Sequence, residues 1–262
     1  MQIEDGQQQY ERRFTDALQF MWGKGFLSPG GPEEVEEMLS LCTIAGRSVL
    51  DIGSGLGGVD LLLATKHGAA EVIGIDVEPQ LIAAAEDYIA AEGLQDRIKF
   101  RLVGEGPLPF PEARFDAVFS KDAMVHIPDK RALFAEVVRV LRPAGFFIAA
   151  DWLWAKGAGA SPVVQAWLSA TPLKFAFTTV PEAGEAMRQA GFADIAVEDR
   201  RALLQAANRK EVEILSGPVR KQLAGLVGEE MAEARLASAL GRQAALDSGD
   251  LIPCHLRGHK PG

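Results

Sequence analysis

The chain has 262 residues, 48% of them hydrophobic and 24% charged, which is ordinary for one α/β domain with insertions and ample for a sizeable core. A formal net charge of −9 argues against a nucleic-acid partner, whose affinity rests on many Lys and Arg contacts to phosphate. No apolar run reaches the roughly 18 residues of a membrane span, and the opening MQIEDGQQQYERRF lacks the basic start and apolar stretch of a secretory signal, so a cytoplasmic protein is expected.

Residues 1–47 read as helical, broken at Gly23-Lys24-Gly25 and at Ser28-Pro29-Gly30-Gly31. SVLDI (48–52) then reads as a buried strand, followed by a helix over 59–67. VIGID (72–76) is a second strand and 78–92 a second helix, stopped by Gly93. IKFRLV (98–103) and FDAVFS (115–120) follow as strands. The helix predicted over 130–141 sets Leu133, Phe134, Val137, Val138 and Leu141 on one face and closes at Arg142-Pro143. FFIAAD (146–151) is the fifth strand, and 152–190 an insertion rich in Trp, Phe and Pro. DIAVED (194–199) is a sixth strand, 200–247 is mostly helical, and LIPCHLRG (251–258) closes the chain as an antiparallel strand at the sheet edge. Strands alternating with helices of this length imply βαβ units and a parallel sheet.

The central signal is Asp51-Ile52-Gly53-Ser54-Gly55-Leu56-Gly57-Gly58, placed after a strand and before a helix. Glycines let the backbone turn tightly and approach a ligand with no Cβ in the way, and the N–H groups at a helix start bind anionic groups. Asp76 ends the next strand, where a carboxylate accepts both hydroxyls of a ribose. Gly53, Gly55 and Gly58 also satisfy G-x-G-x-x-G, so an NAD(P)-dependent oxidoreductase is weighed as the remote alternative. Asp51 separates the two readings: its carboxylate at the strand end repels a pyrophosphate and suits an ammonium group. Taken singly, Asp51 as a helix cap and Gly57 and Gly58 as packing glycines need no ligand; together with Asp76 they point to one.

The string VLDIGSGLGG resembles the cofactor loop of class I S-adenosylmethionine (SAM)-dependent methyltransferases. Three further segments resemble the phosphoethanolamine N-methyltransferase family: Gly23-Lys24-Gly25-Phe26-Leu27-Ser28-Pro29-Gly30-Gly31, Ser120-Lys121-Asp122-Ala123-Met124-Val125-His126-Ile127, and Leu141-Arg142-Pro143-Ala144-Gly145 with Ala149-Ala150-Asp151-Trp152. The resemblance implies an α/β, Rossmann-like, doubly wound, mostly parallel seven-stranded sheet. It implies one domain over 1–262: an N-terminal lid (1–47), a SAM-binding core (48–151), a substrate-side insertion (152–190) and C-terminal strands and helices (191–262). The cofactor is SAM, with S-adenosylhomocysteine (SAH) as product, and the partner a small-molecule substrate. Asp51, Gly53, Ser54, Gly55 and Asp76 are expected to hold the cofactor, with Ile75 and Val77 along the adenosine. Ser28 is expected at the methionine end and Ser120 on the cofactor wall. Gly104, with Glu105 beside it, stands where many relatives carry an acid near the adenine. Asp122 and His126 are expected to face the substrate amine. The family's lid-latching tyrosine is replaced by Leu18, its substrate-side tyrosine by Trp152, and its phosphate-gripping arginine and tyrosine by residues near Leu173 and Phe175. Those apolar replacements would leave a phosphomonoester without hydrogen-bond partners.

Methyl transfer to an amine requires an aligned, neutral nucleophile and exclusion of water. Asp122 and His126 are four apart, sharing a face if the stretch is a helical turn. His126 is read either as proton acceptor or relay, or as a lid latch; Asp122 as its partner or as a helix cap. Trp22, Phe26, Trp152 and Phe175 are read as an aromatic pocket wall able to hold a methylated ammonium, against the alternative that they pack lid on core. O-, S- or C-methylation of a natural-product-like molecule is the second reading within the fold. No metal is expected: Cys254, His255 and His259 lack a paired cysteine motif, and Cys42 and Cys254 read as reduced thiols.

Overall fold

The computed structural model describes residues 10–155, 161–171 and 173–262; the first nine residues of the expected lid, and residues 156–160 and 172 of the expected insertion, lie outside that description. Seven strands, β1 (Ser48–Ile52), β2 (Glu71–Asp76), β3 (Ile98–Leu102), β4 (Phe115–Lys121), β5 (Leu141–Trp154), β6 (Ala193–Asp199) and β7 (Leu251–His259), form one sheet. Its order is β3-β2-β1-β4-β5-β7-β6. β1 pairs in parallel with β2 and β4, and the parallel pairing extends to β3 and β5. β7 runs antiparallel to both β5 and β6. This is the Rossmann-like doubly wound sheet expected from the sequence.

Helices cover both faces. On one, α2 (Gly31–Leu39), α3 (Gly58–Thr65) and α4 (Pro79–Ala91) bury Val35, Met38, Leu63 and Ile89 against Val49, Val72 and Phe119. On the other, α5 (Lys130–Val140) and α7 (Val180–Ala190) bury Phe134, Val137 and Met187 against Leu50, Phe115 and Phe147. Each such side chain contributes roughly 1.5–3 kcal/mol of burial. The remaining helices, α1 (Arg12–Trp22), α6 (Pro162–Ala170), α8 (Arg201–Ser216), α9 (Val219–Val227) and α10 (Glu229–Ser248), form a cap; α1 packs on α9 and α10, and α6 on α10. The lid helix is thus continuous with the C-terminal helices through Ala17, Leu215, Leu223 and Ala239. Among the described residues no helix is long and apolar enough to cross a membrane.

Two expectations are corrected. β7 lies inside the sheet, not at its edge: six of its nine residues are buried, whereas no residue of β6 is buried and it takes the edge. Asp194, Glu198 and Asp199 make β6 the better guarded edge, since charge there discourages further pairing. The fifth strand is also longer than predicted and carries Trp152 and Trp154, so these residues belong to the sheet and not to the insertion. Chain order reverses between β1 and β4, where the carboxyl ends of parallel strands leave a crevice for a ligand. Both sequence-flagged segments, the glycine loop after β1 and residues 120–127 after β4, open there.

Candidate functional site

β1 ends at Asp51-Ile52 and the chain turns through Gly53, Gly55 and Gly57 with φ of +78°, +55° and +82°. A Cβ on Gly53 would sit 2.1 Å from the Ala123 Cβ, so only glycine fits against the β4 loop. The Gly53 and Ser54 N–H groups donate to the Ile75 carbonyl at 2.8 and 3.0 Å. Asp76 turns toward this loop: its Oδ2 accepts from Gly55 N at 3.0 Å and its Oδ1 from Glu78 N at 3.0 Å. Burial raises the Asp76 pKa, and those backbone donors oppose it. Asp51 and Ser54 are buried beneath the turn, and among the described residues Ser54 Oγ has no hydrogen-bond partner and the Asp51 carboxyl meets only that of Asp60. A cradle that admits no Cβ, buried polar atoms below it and a carboxylate at its rim fit an adenosyl cofactor with an ammonium tail. Val77 is exposed at the rim, as are Gly104 and Glu105 beyond β3. Ile75 is a correction: its side chain lies in the core, and only its carbonyl meets the loop.

The N-terminal segment closes over the loop. Gly25 and Gly58 meet so closely that a Cβ on either would lie 2.7 Å from the other's backbone, and Gly58 N donates to Gly25 O at 3.2 Å. Lys121 fixes the same segment to β4. Its buried Nζ donates to Ser28 Oγ at 2.6 Å, to Pro29 O at 2.7 Å and to Asp122 Oδ2 at 2.7 Å. Ser120 is fully buried and donates its hydroxyl to Ile52 O at 2.8 Å, bracing β4 against β1 just before Gly53.

On the acceptor side, Asp122 has φ +55°, a strained value for a residue with a Cβ, held by its N–H to Ala150 O at 2.8 Å. The helical turn posited for Asp122 and His126 is a 3₁₀ turn over Met124–His126 only, with Asp122 outside it. His126 Nδ1 lies 2.6 Å from Lys174 O. A carbonyl only accepts, so Nδ1 carries the proton and Nε2 is the acceptor nitrogen. Burial lowers the His126 pKa below the ordinary 6.5, against an opposing pull from the Lys174 carbonyl. Two residues missed in the sequence brace this turn. The Lys130 ammonium donates to Met124 O, Ile127 O and Ala176 O at 2.7, 2.5 and 2.8 Å. Asp151, pushed up to about 7 by burial despite Lys130, accepts from Val125 N at 3.0 Å. Lys130 carried no sequence signal, and Asp151 sat in a quoted segment without a role.

The expected aromatic wall divides. Trp152 and Phe175 adjoin His126 through a run of rings: Trp152–Trp167 at 6.2 Å, Trp167–Phe175 at 5.8 Å and Phe175–His126 at 5.3 Å. Phe177 and Trp154 extend it. Trp22 and Phe26 are elsewhere. Trp22 donates Nε1 to Glu211 Oε2 at 3.3 Å beneath Arg235 and Arg242, and lines a cavity of about 120 Å³ with α8. Phe26 is in the core with Val35 and Met38, because the lid loop presses it into the sheet face. Leu18 is buried in α1, and Leu173 is partly exposed. The tyrosine of the N-terminal segment that faces the site is Tyr10, not the position of Leu18. Burial and the carboxylates of Asp76, Glu78 and Asp122 raise its pKa. No group of three or more metal-ligating side chains is assembled among the described residues, and His255 instead meets Glu34 of α2 at 2.5 Å.

Residues 49–145 match a family model described as a methyltransferase domain. The chain is 29% identical over 200 residues to a phosphoethanolamine N-methyltransferase of Triticum aestivum, covering 72% of this chain and 38% of the relative. A sterol 24-C-methyltransferase of Gibberella zeae is 37% identical over 108 residues, 41% of this chain and 28% of the relative. The chain thus spans well under half the length of these curated relatives. Among solved structures it is similar to Haemonchus contortus phosphoethanolamine N-methyltransferase 2 in complex with phosphomonomethylethanolamine and SAH. The TM-score is 0.90 at 22% identity, covering 98% of this chain and 59% of the other.

Proposed function

We propose that the chain, whose residues 49–145 match a methyltransferase-domain model, is a class I SAM-dependent methyltransferase that acts on the nitrogen of a small amine whose remaining surface is largely apolar. The observation that carries this reading is the placement of His126 just past β4, its ring stacked on Phe175 at the end of a run of rings through Trp167 to Trp152. SAM, when bound, supplies a sulfonium-activated methyl group and leaves as SAH. Asp51, Gly53, Ser54, Gly55, Asp76 and Val77 are the residues proposed to hold it, with Gly104 and Glu105 at the adenine end and Ser28 and Ser120 at the methionine end. His126 Nε2 takes the proton of the acceptor amine, since the Lys174 carbonyl fixes the tautomer and burial keeps the ring neutral near pH 7. Asp122, held by Lys121, places negative charge beside the amine. Lys130 fixes the His126 turn, and the closed Gly25–Gly58 contact excludes water.

Phosphoethanolamine itself is disfavoured: Leu173 and Phe175 offer a phosphate no donor side chain, and Phe175 is stacked between two rings. The same apolar wall supports O-, S- or C-methylation of a natural-product-like acceptor as the second reading. The 262 residues are read as one catalytic domain of lid, core, insertion and C-terminal section, with the insertion beginning only after β5 ends at Trp154. The free thiols of Cys42 and Cys254 accord with a cytoplasmic setting. The test is a SAM-consumption screen over amines, alcohols and phosphoethanolamine, with product mass locating the methyl. Turnover of an apolar amine supports the reading; turnover of phosphoethanolamine above every other amine overturns it.

A further inference from the structure

Beneath the glycine loop lies a group that no step above uses. Asp60, in the first turn of α3, is fully buried and its carboxyl meets that of Asp51, also fully buried at the end of β1. A Cβ on Gly74 of β2 would come within 2.7 Å of both Asp60 Oδ1 and Ser54 Cβ, so the glycine makes room for this carboxyl next to the loop. Among the described residues, Asp51 Oδ1 and Oδ2, Asp60 Oδ1 and Oδ2, and Ser54 Oγ are five buried side-chain atoms with no hydrogen-bond partner outside the carboxyl pair itself. Two carboxylates cannot both stay ionised in contact inside a protein, and a proton held between them satisfies one oxygen on each.

We infer that Asp60 is a positioning residue for the cofactor: it shares a proton with Asp51, turns the other Asp51 oxygen toward the glycine loop, and so makes the loop selective for a ligand carrying an ammonium group. This rests on the reading of the loop as the SAM site. Burial, and for Asp60 the Asp51 charge next, raises both carboxyl pKa values, with Asp76 of β2 the further charge acting on each. β4, the other neighbour of β1, brings the Ser120 hydroxyl, already donated to Ile52 O. When an ammonium group arrives, the single negative charge left on the pair balances it, and the shared proton stays between the carboxyls.

Two ligands separate the inference from the reading beneath it: SAH, which carries the ammonium, and 5′-methylthioadenosine, which lacks the amino-acid tail. Calorimetric titration of wild-type protein in buffers of different ionisation enthalpy at pH 7 is expected to show no proton released on binding SAH or methylthioadenosine, because the shared proton stays in place. Release of a proton with SAH alone overturns the inference without a variant having to fold. Asp60→Leu is expected to lower SAH affinity roughly tenfold relative to methylthioadenosine, the effect of one charge-assisted contact, while Asp60→Asn, which keeps a donor toward Asp51, stays within about twofold. Equal weakening of both ligands by Asp60→Leu would make Asp60 a packing residue only. Failure of wild-type protein to bind either ligand defeats the cofactor reading itself.

Discussion

Removing the Lys121 ammonium is expected to loosen the lid and weaken cofactor binding. Its Nζ makes three contacts of 2.6–2.7 Å, two to the lid segment at Ser28 and Pro29 and one to Asp122. The Lys121 and Asp122 side chains are 2% and 13% exposed, so Lys121→Met strands a carboxylate that bulk water scarcely reaches. Breaking a fully buried pair costs about 3–5 kcal/mol. Opening of the lid hydrates Asp122 and recovers part of this, leaving roughly 2–3 kcal/mol against the closed state, which is about 30- to 150-fold in affinity for a ligand that binds under the lid. Calorimetric titration with SAH measures this directly, and limited proteolysis between residues 12 and 30 reports lid opening independently. Lys121→Arg, which keeps the charge and several donors, is expected to recover most of the loss. SAH affinity within twofold of wild type in a folded Lys121→Met protein would refute the role given to this lysine.

His126→Ala is expected to lower kcat by roughly 10²- to 10⁴-fold with SAH affinity little changed, the signature of a lost proton acceptor. Because burial lowers the His126 pKa, the neutral ring is the majority form above about 6.5, and kcat should fall as pH drops through a value below that; an acid limb centred above 7 would contradict it. Gly53→Ala should abolish SAH binding and cost about 1–3 kcal/mol or more in a melt, since the new Cβ strikes Ala123 at 2.1 Å on a left-handed backbone. Asp151 is raised to about 7 from an unfolded value near 3.9, so its protonated form is favoured by the fold, and that stability is lost as pH rises through 7. Asp151→Asn should therefore raise Tm relative to wild type more at pH 8 than at pH 5, and the opposite ordering in paired melts would count against the burial argument.

The parallel core was legible because β1, β2 and β4 are short, mainly apolar runs bounded by turn signals, β3 alternates apolar and charged residues, and the α5 face repeats at 3.6 residues. The position of β7 was not, since nothing local distinguishes an edge from an interior strand; only its pairing with both β5 and β6 does so. Asp51, Gly53, Gly55 and Asp76 were legible from spacing, because a tight turn after a strand demands glycine at defined offsets. Trp22 and Phe26 were misplaced because aromatic content says that a residue is buried but not against what: one meets Glu211 from 189 residues away, the other the sheet face. Lys121, Lys130 and Asp60 escaped notice for a shared reason. A charged side chain reads as surface until long-range folding supplies its partners, and here those are lid carbonyls, the His126 turn and a second carboxyl.

The most direct measurement is calorimetric titration of wild-type protein and Asp76→Ala with SAH, under identical conditions. Wild type is expected to bind one SAH per chain in the micromolar range, and Asp76→Ala, lacking the carboxylate that faces the glycine turn, to bind at least tenfold more weakly, the loss of a charge-assisted ribose contact. No binding to wild type at millimolar SAH, or equal binding by both proteins, would contradict the assignment of that turn as the cofactor cradle.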